Sequence, residues 1–299
     1  MTHISSRAPP DIVVYIPVRD SVEWCRSVPL PEGLSYVASD NMSTDGSAAA
    51  LRARGVEVIE QPRDLGRIGN WEFCVRHFLA SGKPWLKWLF AGDVLAPDFA
   101  AVAARAIEAY PQARIIVGDN IYVDATRRAR HGMPGSKPRF LQPAQSLELL
   151  AETGNWFDAP INQMFHRDAL VDGFDYGPFI WAADVFFCMN AAAKVPALYC
   201  GECFGEFHAP SRAHFVALRR SLRAELEGAL LREMAAARLE TLTGNRARHA
   251  QLSAKIEADL LRRLSSRRLG RSHAGSLMRA GLREVRGLWS RLVNGLRSA

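Results

Sequence analysis

"YVASDNMSTDGS", residues 36–47, turns from apolar to small and polar residues within a single short stretch. The apolar start predicts the end of a β-strand, and the polar run that begins at Asp40 predicts a turn into a helix. In such a turn Asp45 or Ser47 could cap the helix. Ligands of open parallel sheets bind at the carboxyl ends of the strands, so Asp40 and Asn41 are equally candidates for a binding site. The stretch predicts a strand followed by a helix on either interpretation.

Strand and helix patterns alternate along the first part of the chain. Apolar, β-branched runs predict strands, and apolar residues at helical spacing predict helices between them. The predicted strands are 11–18, 34–40, 56–62, 85–93 and 113–123, and the predicted helices are 48–55, 68–82, 97–111, 145–154 and 181–194. Strands that alternate with helices indicate βα units, so the predicted fold class is α/β with a mostly parallel sheet.

The pattern changes twice beyond the last predicted strand. Residues 125–145, rich in Arg, Gly and Pro, predict a loop. Further on the pattern is helical throughout, and two helices at 215–244 and 246–264 predict a hairpin. We therefore expect an α/β domain at 1–211 and an α-helical, Arg-rich C-terminal extension at 212–299.

Composition and length place the chain among globular proteins of ordinary size. Its 299 residues are 48% hydrophobic and 23% charged, which provides enough apolar material for a substantial core. The N-terminus lacks the pattern of a secretion signal, and no stretch approaches the ~18 apolar residues of a membrane span. We therefore expect a cytoplasmic protein.

The five cysteines, an odd number without a secretion signal, indicate reduced thiols rather than a disulfide framework. Cys200 and Cys203 form a C-x-x-C, and His208 and His214 follow it, so a zinc site is an alternative. Because no second C-x-x-C is present in the sequence, reduced structural thiols are the favoured interpretation.

The positive charge of the chain lies at its C-terminal end. The net charge is +7, but residues 261–299 hold ten arginines and one acid, which leaves residues 1–260 at −2. From Met278 to Leu296 apolar residues recur at helical spacing, with arginines between them. Three interpretations are open for this amphipathic helix: packing on the chain or on a second copy, contact with an anionic membrane surface, and nucleic-acid binding. Nucleic acid is not expected, because the main domain is slightly acidic.

Carboxylates recur where the predicted strands and helices meet. Asp40 follows the second strand, Asp93 ends the fourth, and Asp184 begins the helix at 181–194. Carboxylates that converge on one edge of a sheet can hold a hard cation such as Mg²⁺ or Mn²⁺, which would neutralise a diphosphate. At Asp40 the residues alone fit a structural turn equally well.

Four motifs follow one another at characteristic intervals and carry a resemblance to a known family. They are "VVYIPVRD" at 13–20, "DNMSTDGS" at 40–47, "LGRIGNW" at 65–71 and "KWLFAGDVLAPD" at 87–98. Together they resemble the nucleotide-sugar-binding half of family 2 glycosyltransferases over about residues 11–110. A weaker similarity to the acceptor half of that family continues to about residue 211. The resemblance implies a GT-A nucleotide-diphospho-sugar transferase fold with a Rossmann-like, mostly parallel sheet.

The resemblance implies a nucleotide-sugar site built from the matching residues. Asp40 would accept a hydrogen bond from the nucleobase, Arg67 would contact base or phosphate, and Asp45 would hold the turn. Asp93 would bind Mn²⁺ or Mg²⁺ that bridges the diphosphate, and His208 would be a further metal ligand unless it is a structural histidine. The implied donor site comprises Pro17, Arg19, Asp40, Asn41, Arg67, Asn70, Gly92 and Asp93.

The acceptor side of the implied site depends on Asp184. The resemblance assigns it as the general base that takes a proton from an acceptor hydroxyl during an inverting transfer. Asn155 and Trp156 would line the acceptor pocket, with simple packing as the alternative for Trp156. Two positions depart from the family pattern: Gly92 stands where the metal motif has its first aspartate, and Ala183 where a glutamate precedes the base. One carboxylate can still serve, because diphosphate and water complete the coordination.

The predicted function is transfer of a sugar, in the manner of a hexosyltransferase, from a nucleoside-diphosphate sugar to a hydroxyl of a glycan or lipid-linked acceptor. UDP is the expected nucleotide, and Mn²⁺ or Mg²⁺ is the expected cofactor. Such an enzyme would work in the cytoplasm and could contact the inner face of the membrane through residues 261–299. Two alternatives of other classes are a catalytically silent nucleotide-sugar-binding module and a nucleic-acid-binding protein that uses the basic tail.

Overall fold

The computed structural model of the chain describes residues 11–133, 137–172, 174–209, 218 and 221–266. The amphipathic stripe predicted from Met278 to Leu296 lies outside these ranges, as do His214 and most of the start of the helix predicted from residue 215.

The described residues form two compact units. The first contains the described residues up to Pro143, together with Phe157–Tyr176 and those from Asn190 to Ala209. The second contains Ala144–Trp156, Gly177–Met189 and the described residues from Leu218 to Ser266. Two segments that precede the boundary predicted at 211/212 thus group with the helical part of the chain.

A mixed sheet of ten strands, counted over the described residues, forms the centre of the first unit. The strands are β1 (Ile12–Val18), β2 (Ser35–Asp40), β3 (Glu57–Glu60), β4 (Trp85–Trp88), β5 (Val94–Leu95), β6 (Ile115–Val123), β7 (Arg128–His131), β8 (Arg139–Leu141), β9 (Gln163–His166) and β10 (Ala197–His208). Their order along the sheet is β3-β2-β1-β4-β9-β6-β10-β5, with β7 beside β6 and β8 beside β10.

The half of the sheet that carries the predicted donor motifs is parallel. β1 pairs in parallel with β2 and β4, and β2 pairs in parallel with β3. β9 runs antiparallel between β4 and β6, and β10 pairs in parallel with β6. The three short strands β5, β7 and β8 are antiparallel to their partners. The carboxyl ends of β1, β2 and β4 therefore lie at one edge of the sheet, and the predicted α/β fold class is confirmed.

Short helices connect the strands of the first unit, and longer ones dominate the second. The helices are α1 (Val22–Ser27), α2 (Ser47–Arg52), α3 (Gly66–Ser81), α4 (Phe99–Ala109), α5 (Pro143–Thr153), α6 (Ala183–Ala192), α7 (Leu222–Thr243) and α8 (Arg246–Ser266). Helix α7 begins after the N-cap Ser221, whose hydroxyl accepts the N–H of Ala224, and ends at Gly244 in the left-handed conformation. Within the described ranges, none of the helices combines the length and hydrophobicity needed to cross a membrane.

The sheet is buried on both faces around β1. All seven residues of β1 (IVVYIPV) are buried, which is typical of a central strand covered by helices on both sides. Ile12, Val14 and Ile16 belong to one apolar cluster with Leu89 and Ile116. Because full burial of such a side chain contributes roughly 1.5–3 kcal/mol, this cluster fixes the strands whose ends carry the polar residues.

The strand predicted over 85–93 is wrong in its second half. β4 ends at Trp88. The Asp93 N–H then donates to the Phe90 carbonyl (2.9 Å), and Gly92 takes φ +110°, so the chain turns before it enters β5. The turn places Asp93 ahead of a strand rather than within one.

Two further predictions about local structure are wrong. The loop predicted over 125–145 contains β7 and β8, which pair antiparallel with β6 and β10. Helix α2 follows Gly46, at φ +93°, so Gly46 and neither Asp45 nor Ser47 is the N-cap. β7 forms a hairpin with the preceding β6, whereas β8 is a strand because it pairs with the distant β10. The left-handed conformation of Gly46 decides the position of the N-cap.

All five cysteines carry free thiols. Cys200 and Cys203 lie in β10, and burial raises the pKa of both thiols, that of Cys200 to about 11. Across the described part of the chain, no group of three or more His, Cys, Asp or Glu residues is arranged to hold a metal ion. The C-x-x-C is therefore a segment of a strand.

Candidate functional site

The DNMSTDGS turn leads from β2 into α2 and is stabilised by its own side chains. The carboxylate of Asp40, 2% exposed, accepts hydrogen bonds from the N–H (3.2 Å) and the hydroxyl of Ser43. Asp45 accepts hydrogen bonds from the N–H of Val22 (2.9 Å) and the N–H of Ser47 (3.0 Å). Through these contacts Asp40 and Asp45 stabilise the turn. The Asp40 carboxylate has further lone pairs, which a ligand could use.

Asp64 connects three of the elements that carry the predicted donor site. Its Oδ1 accepts from the side-chain amide of Asn41 (2.9 Å) and from the N–H of Gly66 (2.7 Å), and its Oδ2 pairs with Arg19. Asn41 in turn accepts the N–H of Leu65 (2.9 Å). The hydrogen bond from Arg19 is the main cause that lowers the pKa of Asp64 to about 2. Asp64 is therefore an ionised carboxylate that joins the ends of β1 and β2 to the start of α3.

Asp64 was missed from the sequence, although one signal pointed to it. It is the acid directly before the LGRIGNW motif, and acids are favoured near the first turn of a helix. Its contacts with Arg19 and Asn41 span 45 and 23 residues of chain, so no local pattern shows them.

Asn70 fastens α3 to β2. Its side-chain oxygen accepts the hydroxyl of Ser39 (2.5 Å), and its amide donates to the Ser39 carbonyl (3.2 Å). Gln61 donates to the same hydroxyl (2.9 Å). Asn70 is 4% exposed, so its observed contacts are structural, and its role toward a nucleotide sugar stays a prediction.

Arg67 lies over an aromatic group at the start of α3. Its guanidinium carbon is 5.1 Å from the centroid of the Trp71 ring, which is cation–π geometry. Trp71 in turn packs on Phe90 (4.9 Å between centroids) and on Tyr176 (5.6 Å). The packed Trp71 ring therefore orients the half-buried Arg67 side chain, which is the one predicted to contact base or phosphate.

Pro17 and Gly92 shape the backbone of the predicted donor site. Pro17 is buried near the end of β1, opposite Ser39 of β2. Gly92 has φ +110°, which a residue with a side chain adopts only under strain, and no atom lies within 4 Å of the position that its Cβ would take. Backbone conformation rather than crowding therefore accounts for a glycine at the first position of the metal motif.

Asp93 is a buried carboxyl at the turn before β5. It is 4% exposed, and its Oδ1 accepts the N–H of His208 (3.2 Å). The indole N–H of Trp24 donates to its backbone carbonyl (2.9 Å), which connects α1 to the same turn. Burial raises the pKa of the Asp93 carboxyl to about 8, against the opposing effects of the His208 N–H and the charge of Lys87. A cation beside this carboxyl would favour its ionised form.

Lys87 is a buried lysine whose charge, when its amine is protonated, acts on Asp93. It lies in β4 with no exposed surface, and its Nζ donates to the carbonyls of Ile161 and Gln163, the latter at 3.3 Å. Burial lowers its pKa well below the usual range, and the charge of Asp93 opposes that shift. No pattern in the sequence indicates the partners of this lysine, because "WLKWLF" shows only an isolated polar residue in an apolar run.

The residues present fit a magnesium or manganese ion held partly by substrate. His208 contacts Asp93 through its backbone, and its half-exposed imidazole lies 3.2 Å from the carboxylate of Glu206. Arg128 also holds Glu206 with two hydrogen bonds (2.8 and 2.7 Å). The protein thus supplies one buried carboxylate with a histidine next to it. Mg²⁺ is commonly bound in this way, through one or two carboxylates, substrate phosphates and water.

The residues predicted for the acceptor side lie in the second compact unit. Asp184 is the second residue of α6 and is half-buried. Asn155 lines a cavity of about 320 Å³ together with Trp181. Trp156 is 5% exposed, and its indole N–H donates to the Ser146 carbonyl (3.1 Å), which is the contact expected from packing. The roles of these residues toward an acceptor stay predictions.

The sequence matches no model of a known protein family and no curated protein. Solved structures resemble the chain in fold. S. aureus TarS 1-349 in complex with UDP-GlcNAc is similar with a TM-score of 0.60 and 13% identity, over 89% of this chain and 75% of that one. S. aureus TarS 1-349 in complex with UDP is similar with a TM-score of 0.52 and 12% identity, over 86% and 73% of the two chains. The mannosyltransferase PcManGT from Pyrobaculum calidifontis, in complex with GDP-Man and Mn²⁺, has a TM-score of 0.48 and 15% identity, over 96% and 85%.

The fold is the GT-A fold of glycosyltransferases. Its parallel half presents the ends of β1, β2 and β4 at one edge, where Arg19, Asp40, Asn41 and Asp93 lie.

Proposed function

We propose that this protein is an inverting glycosyltransferase of the family 2 type. It moves a sugar from a nucleoside-diphosphate sugar, with UDP as the nucleotide, to a hydroxyl of a glycan or lipid-linked acceptor. The proposal is carried by the buried Asp93 carboxyl, which follows β4 of a GT-A sheet, together with the polar cluster that Asp64 organises after β1 and β2. The TarS structures of the same fold, which contain UDP-GlcNAc or UDP, support the choice of donor.

The nucleotide would bind at the ends of β1 and β2. Arg19 is half-exposed and its charge is held in place by Asp64, so it can meet an anionic ligand without losing its orientation. Asp40 would accept a hydrogen bond from the nucleobase, since its buried carboxylate keeps free lone pairs. Arg67, oriented by Trp71, would contact base or phosphate.

Asp93, with His208 beside it, would hold the cation. A bound Mg²⁺ or Mn²⁺ would neutralise the negative charge that develops on the departing diphosphate. Asp93 must be ionised in that state. Because burial raises the pKa of its carboxyl to about 8, binding of the cation and loss of the proton are coupled.

Asp184 would act as the general base. A half-buried carboxylate in the first turn of α6 can accept the proton of the acceptor hydroxyl as its oxygen bonds to the anomeric carbon. The bond from that carbon to the diphosphate oxygen breaks with its electron pair on the diphosphate. Asn155 would contribute to the acceptor site through the cavity it lines. Contact of residues 261–299 with a membrane surface stays a prediction from the sequence.

One alternative has support from the residues present. Gly92 and Ala183 replace two carboxylates of the family pattern, which favours a module that binds a nucleotide sugar without turnover. Release of UDP from UDP-GlcNAc, followed in the presence of Mn²⁺ with water as the acceptor, decides between the two. If the protein is an enzyme, the wild-type chain releases UDP. The rate of release is then at least about tenfold lower in Asp184→Asn, as expected for loss of a general base. The module binds UDP-GlcNAc with no release, and its binding is the same in Asp184→Asn.

A further inference from the structure

Glu227 of α7 binds the backbone that enters α6. Its Oε2 accepts the N–H of Trp181 (2.7 Å) and of Ala182 (3.0 Å), and both carboxylate oxygens lie 3.2 Å from the N–H of Ile180. Arg223, one turn earlier on α7, donates to Oε1 (2.7 Å). Three consecutive amides thus converge on a single carboxylate, directly before the helix that carries Asp184.

The carboxylate satisfies the N–H groups of the segment that leads into α6. The first N–H groups of a helix have no intrahelical partner and are usually satisfied by Ser, Thr, Asp or Asn at the N-cap. Ala182, the residue before α6, has no side chain that can accept a hydrogen bond. Glu227, 45 residues further along the chain, accepts the N–H groups of Ala182 and of the two residues before it. A negative charge at this end of a helix is also favoured by the helix dipole.

Glu227 is built for this contact rather than for solvent. It is 8% exposed. Burial by itself raises the pKa of a carboxyl, but the hydrogen bonds from Arg223 and from the three amides outweigh it and lower the pKa of Glu227 below its usual value. The carboxylate is therefore charged and fully engaged within the second unit.

Apolar contacts fix the same segment from the other side. The rings of Phe179 and Phe186 lie 5.0 Å apart, which packs the entering segment on α6 itself. Gly177 has φ +59°, and a Cβ there would come within 2.8 Å of the Phe186 ring. These apolar contacts and the hydrogen bonds to Glu227 both act on the segment that enters α6.

We propose that Glu227 is a positioning residue that fixes the first turn of α6 and, with it, the direction of the Asp184 carboxylate. The inference rests on the proposed function, in which Asp184 accepts the acceptor proton. It gives the helical extension a part in the reaction: the extension holds the backbone of the general base. Glu227 touches no substrate in this role.

The test compares Glu227→Ala and Glu227→Gln with the wild-type chain in two measurements. The first is amide hydrogen exchange at residues 180–182 by NMR. The second is UDP release from UDP-GlcNAc with Mn²⁺, analysed as kcat and KM separately. Glu148→Gln is the matched control, since it removes a carboxylate from Arg248 (2.6 Å) in the same unit and leaves the three amides untouched. Glu227→Asp tests rescue by a shorter carboxylate.

The expected result is faster exchange at residues 180–182 in Glu227→Ala and a kcat lowered roughly tenfold to a hundredfold, because a misplaced catalytic group costs that much. The KM for UDP-GlcNAc stays within about twofold, since the donor residues lie in the first unit. Glu227→Asp recovers part of kcat, and Glu148→Gln behaves as wild type.

Two failures are distinguishable. A wild-type chain that releases no UDP, with fast exchange in Glu227→Ala, contradicts the proposed function and leaves the contact itself established. A wild-type chain that turns over, with kcat of Glu227→Ala within twofold of it or with unchanged exchange at residues 180–182, overturns this inference alone.

Discussion

The side-chain amide of Asn41 donates to the carboxylate of Asp64 at 2.9 Å, and this bond joins the end of β2 to the start of α3. The same carboxylate receives Arg19 from the end of β1. Two residues from separate motifs thus share one negative charge, and their side chains are held before any ligand arrives. Such preorganisation lowers the cost of ordering the groups that bind a ligand.

Asp64→Asn should weaken UDP binding about tenfold, because it removes the negative charge that holds Arg19 and that accepts the amide of Asn41. Titration calorimetry of UDP in the presence of Mn²⁺ measures the change. Asp11→Asn is the control, since it breaks an exposed pair with Lys83 (2.6 Å) outside the predicted donor site. Equal affinities in Asp64→Asn and Asp11→Asn would show that Asp64 does not organise the nucleotide site.

Gly92→Ala should destabilise the first unit by about 1–3 kcal/mol, because φ +110° is strained for a residue with a side chain. Gly228→Ala in α7 is the matched substitution: a Cβ there also meets no atom within 4 Å, but the backbone is helical. We expect it to stabilise by about 0.5–1 kcal/mol. Urea unfolding of both variants measures the difference, and equal effects would contradict the conformational account of Gly92.

His249→Ala should cost about 1.5–3 kcal/mol of unfolding free energy in the hairpin of α7 and α8. The imidazole is 2% exposed and lies between Glu233, at 2.9 Å and itself 1% exposed, and Glu240. Its removal takes one hydrogen-bond partner from the buried Glu233 carboxylate, which keeps the hydroxyl of Ser253 (2.7 and 2.8 Å). Arg246→Ala, on a side chain that is 92% exposed, should change stability by less than about 0.5 kcal/mol. A loss below about 1 kcal/mol in His249→Ala would refute this account of the cluster.

His131 should titrate above the usual histidine value, because its hydrogen bond to Asp158 (2.7 Å) raises the pKa of the imidazole. The stability that this pair contributes is present below about pH 6.5, the unfolded value, and is lost as pH rises through the folded pKa. NMR titration measures it, and Asp158→Asn should return the pKa toward about 6.5. His166 is the internal control, since burial lowers its pKa. The account fails if His131 titrates at or below His166.

The βα alternation of the first unit was predictable, because β1, β2 and β4 fall in mainly apolar runs and β3 contains a β-branched pair shortly before Pro62. β9 and β10 were not. The four residues of β9 (QMFH) are too few to show a period, and they form a strand because β4 and β6 flank them. β10 contains Gly201 and Gly205, which predict turns, and its pairing with β6 shifts register between Tyr199 and Gly205.

The residues of the candidate site were likewise predictable only in part. Asp40, Asn41 and Asp93 stand in motifs that a single sequence displays. Asp64, Lys87 and Glu227 do not, because each also contacts residues that lie 23 to 76 positions away in the chain. Sequence pattern reports which residues end a strand or begin a helix, whereas the partners of a buried charge are set by the tertiary fold.

We expect Asp93 to belong to a metal-dependent nucleotide site. Calorimetric titration of UDP and of GDP into the wild-type chain and into Asp93→Ala, each with and without Mn²⁺, tests this role. Asp98→Ala is the control, because Asp98 precedes α4 without a side-chain cap hydrogen bond and is exposed. We expect Mn²⁺-dependent binding of UDP in the wild-type and Asp98→Ala chains and its loss in Asp93→Ala. Binding of neither nucleotide by the wild-type chain, or equal binding by Asp93→Ala, would contradict the claim.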